Sequence, residues 1–167
     1  MPATGRIALT HAARAAAVAA EETRPSENAR LWADVLAGVP LFAGVPARHV
    51  RRIASLGSVA TFGPKAPIVT AGDPGEAFYV VLSGRATVRR GRGRSTIQIG
   101  PGAYFGEMAL LDGARRSATV VAETETVCLL LDRKPFTRIL RDEPAVVLVL
   151  LRTLAGRVRD LEASPAE

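Results

Sequence analysis

The sequence predicts a mainly β domain with helices at both ends, an α+β chain whose strands close into an antiparallel β-barrel or jelly roll (a double-stranded β-helix). Three observations lead there. Between Ser58 and Asp132, short β-branched runs alternate with Gly and Pro every eight to twelve residues, the punctuation of sandwiches and barrels. Ahead of this region, apolar residues recur at helical intervals in two short segments. Behind it, Val146, Val147, Leu150, Leu151, Leu154, Val158 and Leu161 form one long helical stripe.

Composition sets the bounds. A chain of 167 residues holds one domain with a tail, and 48% apolar residues can fill a core. Aromatics are only 5%, so that core leans on Val, Leu, Ala and Ile. A single cysteine, Cys128, rules out an intrachain disulfide and points to a reducing, cytoplasmic compartment. His11 and His49 lie far apart, and with one Cys they make no metal site. The net charge of +6 favours polyanions in general. It is equally the charge of a basic surface with no specific partner. No run approaches the ~18 apolar residues of a membrane span, and the N-terminal segment lacks the strong apolar centre of a signal peptide.

The elements follow in order. Residues 1–26 are expected to form a flexible tail, with an alanine-rich run from His11 to Glu22 that favours helix but carries no large apolar face. The domain spans 27–163, and 164–167 form a short C-terminal tail. Ser26 is a candidate N-cap for a helix to Ala37, with Leu31, Trp32, Val35 and Leu36 on one face. Gly38 and Pro40 end it, and Val39–Val45 reads as a tight apolar turn. Pro46 opens a second helix carrying Val50, Ile53, Ala54 and Leu56. Strands are expected near 58–62, 67–70, 77–82, 85–90, 95–99, 117–122 and 126–131. Ser83-Gly84 is expected to make a tight hairpin. The next turn holds Arg89-Arg90-Gly91-Arg92-Gly93-Arg94, a solvated tip whose charges guard strand ends or, less simply, a nucleic-acid patch. Cys128 fills core space within a strand. After Asp132, a candidate N-cap, one short helix runs from Arg133 to Arg141, and another from Pro144 to about Ala163.

The chemistry gathers in one stretch, Gly102 to Val120. Gly106 opens one or two helical turns and Gly113 stops them. A helix start presents free N–H groups to an anion. Arg116 adds a planar fork of donors suited to phosphate, and Ser117 a hydroxyl. Glu107 is an acceptor-only group suited to sugar hydroxyls. A ribose joined to a phosphate would use both ends. The bland alternative is an Arg116–Glu107 ion pair that merely ties down a loop. Gly100, Gly102 and Gly106 do not make a dinucleotide site, because the spacing is wrong and no βαβ unit surrounds them.

Phe105-Gly106-Glu107, Ala109-Leu110 and Arg116-Ser117-Ala118-Thr119-Val120 together resemble the phosphate-binding cassette of the cyclic nucleotide-binding domain family. The match to Phe-Tyr-Val-Val-Leu-Ser-Gly at Phe78–Gly84 adds to it, and the resemblance covers about residues 28 to 162. It implies that Gly106 and Glu107 hold the ribose 2′-hydroxyl, and that Arg116, the amide of Ala109 and Ser117 hold the cyclic phosphate. It places Met108 and Ala118 in the same site. No nucleophile–base pair or metal cluster emerges from the sequence, so no catalytic residue and no metal are expected. The base would lie between barrel side chains and the last helix, where Arg157 and Leu161 are candidate base or lid contacts. Arg157 could pair with Glu107 instead. By analogy with the family, Leu111 and Phe136 are hinge contacts.

The resulting expectation is a regulatory sensor of a cyclic nucleotide, cyclic AMP first and cyclic GMP possible, that is not an enzyme. Its C-terminal helices would move and signal to an unknown protein effector. The chain stops at Glu167 without the DNA-reading winged helix of the bacterial catabolite activator, so no effector domain of its own is expected. The apolar stripe of the last helix leaves room for a homodimer seam. No membrane and no specific nucleic acid are expected as partners. Two rival classes remain: a DNA-binding regulator that relies on the basic surface, and a structural domain of the same fold that binds no nucleotide.

Overall fold

A computed structural model describes residues 4–6, 25–91 and 95–164. The alanine-rich run and the Arg92–Arg94 tip lie outside the described residues. Strand β1 (Thr4–Arg6) is followed, after the break, by helix α1 (Pro25–Ala37), a 3-10 turn (Pro40–Phe42) and helix α2 (Ala47–Ala54). Pro46 is the extended N-cap of α2 rather than its first helical residue. Its missing N–H is harmless at either place. The strands are β2 (Ser58–Phe62), β3 (Pro67–Val69), β4 (Ala77–Ser83), β5 (Ala86–Arg90), β6 (Ser95–Ile99), β7 (Ala103–Phe105), β8 (Ala118–Ala122) and β9 (Thr126–Asp132). A one-turn helix, α3 (Ala109–Asp112), precedes β8, and α4 (Arg133–Asp142) and α5 (Pro144–Ala163) follow β9. Asp132 is the N-cap residue of α4, but its side chain makes no capping bond.

The strands do not close into the expected barrel or jelly roll. They form two separate antiparallel sheets, β1-β7-β4-β9-β2 and β3-β8-β5-β6, with no ladder between them among the described residues. The turn at Ser83-Gly84 is accordingly not a hairpin. Strand β4 pairs with β7 and β9, whereas β5 pairs with β6 and β8, so the chain crosses between sheets at this corner. A bulge between Val81 and Ser83 bends β4 toward the crossing. Thr126 then fixes it by donating its hydroxyl to the Arg85 carbonyl at 3.0 Å. Strands β5 and β6, on either side of the arginine-rich stretch, pair antiparallel from Ala86 with Ile99 to Arg90 with Ser95.

The five-stranded sheet is the middle layer. Alternation along β4 and β9 sends Phe78, Val80, Leu82, Val127, Leu129 and Leu131 to one face, where they meet Trp32, Leu36, Phe42, Ile53, Leu110, Phe136 and Leu150 of the helices. The opposite face sends Val81 and Cys128 against Ile68, Ala86, Val88, Ala118 and Val120 of the second sheet. Helix α5 docks through Val146 and Leu150, which are buried. Leu148, Leu151, Val158 and Leu161 remain exposed. No helix among the described residues is long and apolar enough to cross a membrane.

Candidate functional site

Strand β7 delivers the chain to Gly106, whose φ of +82° an L side chain rarely adopts. A Cβ here would also collide with the Arg116 guanidinium and lie 3.0 Å from the Ala77 carbonyl. Glu107 and Met108 turn the chain into α3, and Gly113 ends it in the left-handed region with its N–H on the Ala109 carbonyl at 2.9 Å. The Asp112 carboxylate then accepts the Ala114 N–H at 2.9 Å, which shapes the loop toward β8. That loop is bolted to the turn before β4. Arg116 donates its N–H to Asp73 at 2.8 Å, Gly72 donates to the Arg116 carbonyl at 2.9 Å, and the Arg115 guanidinium reaches the Gly72 carbonyl at 2.8 Å.

Between this loop and the sheets lies a cavity of about 430 Å³, lined by Gly106, Glu107, Met108, Ala109, Arg116, Ser117 and Ala118 together. Its size is within the ~300–1,000 Å³ of small-molecule sites. Val69, Val88, Phe105, Asp112, Ala114, Arg115 and Val120 complete the wall. Phe105 and Val120 stand in the quoted cassette without an assigned role, and Asp112, Ala114 and Arg115 lie inside the same Gly102–Val120 stretch. Val69 and Val88 lie outside it, and an inward valine of an alternating strand looks like any core valine.

Glu107 is 8% exposed, and its carboxylate lies 3.6 Å from the Arg157 guanidinium of α5. The ion pair of Glu107 is therefore with Arg157 and not with Arg116. Arg157 also approaches the Met108 sulfur at 3.8 Å, so α5 reaches over the cassette. Leu161 is 50% exposed and does not line the cavity. Leu111 packs on the helical core, and Phe136 is buried edge-on against Phe42 at 6.0 Å.

Arg116 donates to the Ala77 carbonyl at 2.5 Å and lies over the Tyr79 ring, 5.6 Å from its centroid. Burial lowers its pKa by penalising the charged form, and the neighbouring Tyr79 phenol opposes that shift. None of the salt bridges among the described residues involves it, so its charge is held by neutral groups alone. The Ala109 N–H is occupied by the Gly106 carbonyl at 3.1 Å. The N–H groups of Glu107, Met108 and Ser117 have no acceptor among the described residues. With only one turn in α3, the aligned peptides add little field of their own, and the positive charge of this cavity comes from Arg116 and Arg115.

No group of three His, Cys, Asp or Glu among the described residues could hold a metal ion. Burial pushes the Cys128 thiol up to about 12, so at neutral pH it stays protonated and inert.

Residues 59–143 match the family model for the cyclic nucleotide-binding domain. The cyclic AMP receptor protein of Thermus thermophilus is 36% identical over 129 residues, 75% of this chain and 60% of its own length. A cyclic AMP-dependent protein kinase regulatory subunit from Colletotrichum orbiculare is 35% identical over 66% of this chain, but this covers only 29% of that subunit. The chain thus spans less than two thirds of these relatives. Among solved structures, the N-terminal domain of a transcriptional regulator from Streptomyces coelicolor is similar with a TM-score of 0.70 and 31% identity, over 80% of this chain and 99% of that one. The regulatory domain of Toxoplasma gondii PKA, crystallised with cyclic AMP, has a TM-score of 0.60 at 27% identity over 78% of this chain and 51% of its own. Fold, cassette and relatives converge: the chain belongs to the cyclic nucleotide-binding domain family.

Proposed function

We propose that this domain senses cyclic AMP, and that its C-terminal helices carry the signal to a protein effector. The observation that supports this reading is a cavity walled by a buried carboxylate and by a guanidinium that no carboxylate among the described residues neutralises. Arg116 would neutralise the cyclic phosphate, helped by Ser117 and the loop N–H groups. Glu107 and Gly106 would hold the ribose 2′-hydroxyl. Adenine is preferred because the Thermus receptor and the Toxoplasma domain are named with cyclic AMP. A cyclic GMP-dependent protein kinase of Toxoplasma gondii is also a relative, 45% identical over 82 residues, so guanine is the competitor to test.

The Glu107–Arg157 pair supplies a link between ligand and helix. A ribose on Glu107 competes for the carboxylate that holds Arg157, so ligand binding and α5 position become coupled. A ligand shifts the helices only by its differential affinity for the two arrangements. A differential of ~2 kcal/mol shifts their populations about thirtyfold.

Calorimetric titration with cyclic AMP and cyclic GMP tests the reading. Saturable binding is expected, tighter for cyclic AMP. Arg116→Ala is expected to lose about 2–5 kcal/mol of binding, as when one partner of a desolvated ion pair is removed. Unchanged affinity would refute the role given to Arg116. Hydrogen exchange in 133–163 should change on ligand addition, and no change would remove the proposed helix movement.

A further inference from the structure

We infer that Tyr79 is a positioning residue for the site, a ring on which the Arg116 guanidinium rests in line with an incoming anion. The inference depends on the reading of Arg116 as the phosphate ligand. Strand β4 presents two holds to that guanidinium from positions two residues apart: the Ala77 carbonyl at 2.5 Å and the Tyr79 ring at 5.6 Å. Both belong to β4, so one rigid element supplies both contacts.

The ring is itself held. Tyr79 pairs in register with Phe105 of β7, and the two rings stack with centroids 5.1 Å apart and planes 10° apart. Phe62 of β2 packs at 6.5 Å with its ring tilted by 59°. Phe105 lines the cavity and leads directly into Gly106, whose missing side chain leaves the space the guanidinium fills. Ring, carbonyl and glycine therefore fix the place of the cation without cancelling its charge. A carboxylate in the same place would hold Arg116 as firmly but would compete with the phosphate. An aromatic face attracts the cation through its quadrupole and leaves it free to take an anion.

The test compares Tyr79→Leu with Tyr79→Phe in calorimetric titrations with cyclic AMP. Tyr79→Leu is expected to weaken binding about tenfold, and Tyr79→Phe, which keeps the ring, to stay within about twofold. In an Arg116→Ala background, Tyr79→Leu should add little, because the ring acts only through the arginine. Should Tyr79→Leu not fold, the wild-type protein decides the matter by NMR. Upfield ring-current shifts of the Arg116 side-chain resonances, with and without nucleotide, support the shelf, and unshifted resonances overturn it. Full affinity in folded Tyr79→Leu, with binding lost in Arg116→Ala, overturns the shelf alone. A wild-type protein that takes up neither nucleotide overturns the site reading and the shelf together.

Discussion

The two faces of the five-stranded sheet are built from different sizes of side chain. The helical face gathers Trp32, Leu36, Phe42, Phe78, Leu110 and Phe136, large groups that close the space between layers. The fully buried members on the side of the second sheet are mostly small, Ala86, Ala103, Ala118, Ala122, Val81, Val88, Val120 and Cys128 with Ile68 and Phe105, while Phe62, Tyr79, Ile99 and Leu130 pack against them from partly buried positions. Strands β4 and β9 serve both sides, Phe78 and Leu129 facing the helices and Val81 and Cys128 facing the second sheet. The cavity opens on the second face, lined by Val88, Phe105, Ala118 and Val120 of that cluster. Large groups on one side hold the fold, and small groups on the other leave room for a ligand. Stability and binding should therefore respond to different substitutions.

Trp32→Ala is the strongest way to break this division. Trp32 is among the largest fully buried side chains and lies on α1, away from the cavity. Its truncation should cost about 3–5 kcal/mol of stability, read by circular dichroism in urea, while cyclic nucleotide affinity under native conditions stays within about threefold. A large loss of affinity with little loss of stability would reverse the assignment of the faces.

The next effect depends on pH. The Cys128 thiol on the inter-sheet face is raised by burial to about 12, against about 8.5 in an unfolded chain. The folded state keeps the proton longer, so this stabilisation is complete below about pH 8.5 and is lost as pH climbs toward 12. The slope is about 1.4 kcal/mol per pH unit, so stability at pH 10 should lie about 2 kcal/mol below that at pH 8.5. Burial raises the Tyr79 and Tyr104 phenols as well, and these contribute in the same direction at still higher pH. Cys128→Ala should flatten the fall between pH 8.5 and 10. An equally steep fall in that variant would place its origin elsewhere.

Ala118→Val sharpens the comparison from the binding side. The added methyl groups enter the cavity wall, where free volume accepts them. Cyclic nucleotide affinity should fall by about 1–2 kcal/mol, and stability should move by less than about 1.5 kcal/mol. Equal affinity in the variant and the wild type would mean that the ligand does not reach Ala118.

The cassette was legible in the sequence because it is contiguous. Gly106 to Ala118 carries its turn glycines, its carboxylate and its cation within one short stretch, and the structure brings all seven expected residues to one cavity. The sheet topology was not, because it rests on distant partners. Ser-Gly at 83–84 suits a hairpin or a corner equally well. Thr126, bonded to the Arg85 carbonyl from far along the chain, makes it a corner. Strand β7 escaped notice since its three residues are all buried and show no alternation. The four helices at the two ends announced themselves through spacing, but Ser26 lies inside α1, which begins two residues earlier than expected at Pro25, and α2 begins one residue later, at Ala47. The pairing of Glu107 with Arg157 was visible only as one option among others, since fifty positions separate the partners.

The smallest expected effect comes from a polar contact on the helical face. Glu143 sits between α4 and α5, paired with His49 and Arg52 of α2, while Arg52 also reaches Asp142 at 3.6 Å. The cluster looks like the tie that fixes α5 to the N-terminal helices, but three other contacts already do so. Val146 and Leu150 are buried in the helical core. Val149, partly buried, packs against the same core. The Thr153 hydroxyl lies 3.2 Å from the Ala43 carbonyl, within donating distance. Arg52 and Asp142 are exposed, where water and salt weaken an ion pair, and a Gln in place of the largely buried Glu143 still offers an acceptor oxygen to His49 and Arg52. Glu143→Gln should therefore cost about 1 kcal/mol or less in urea titrations at neutral pH, less again in high salt. A loss as large as that of Trp32→Ala would mean that charge, rather than apolar volume, holds this face together, and the contrast between the two sides of the sheet would fail.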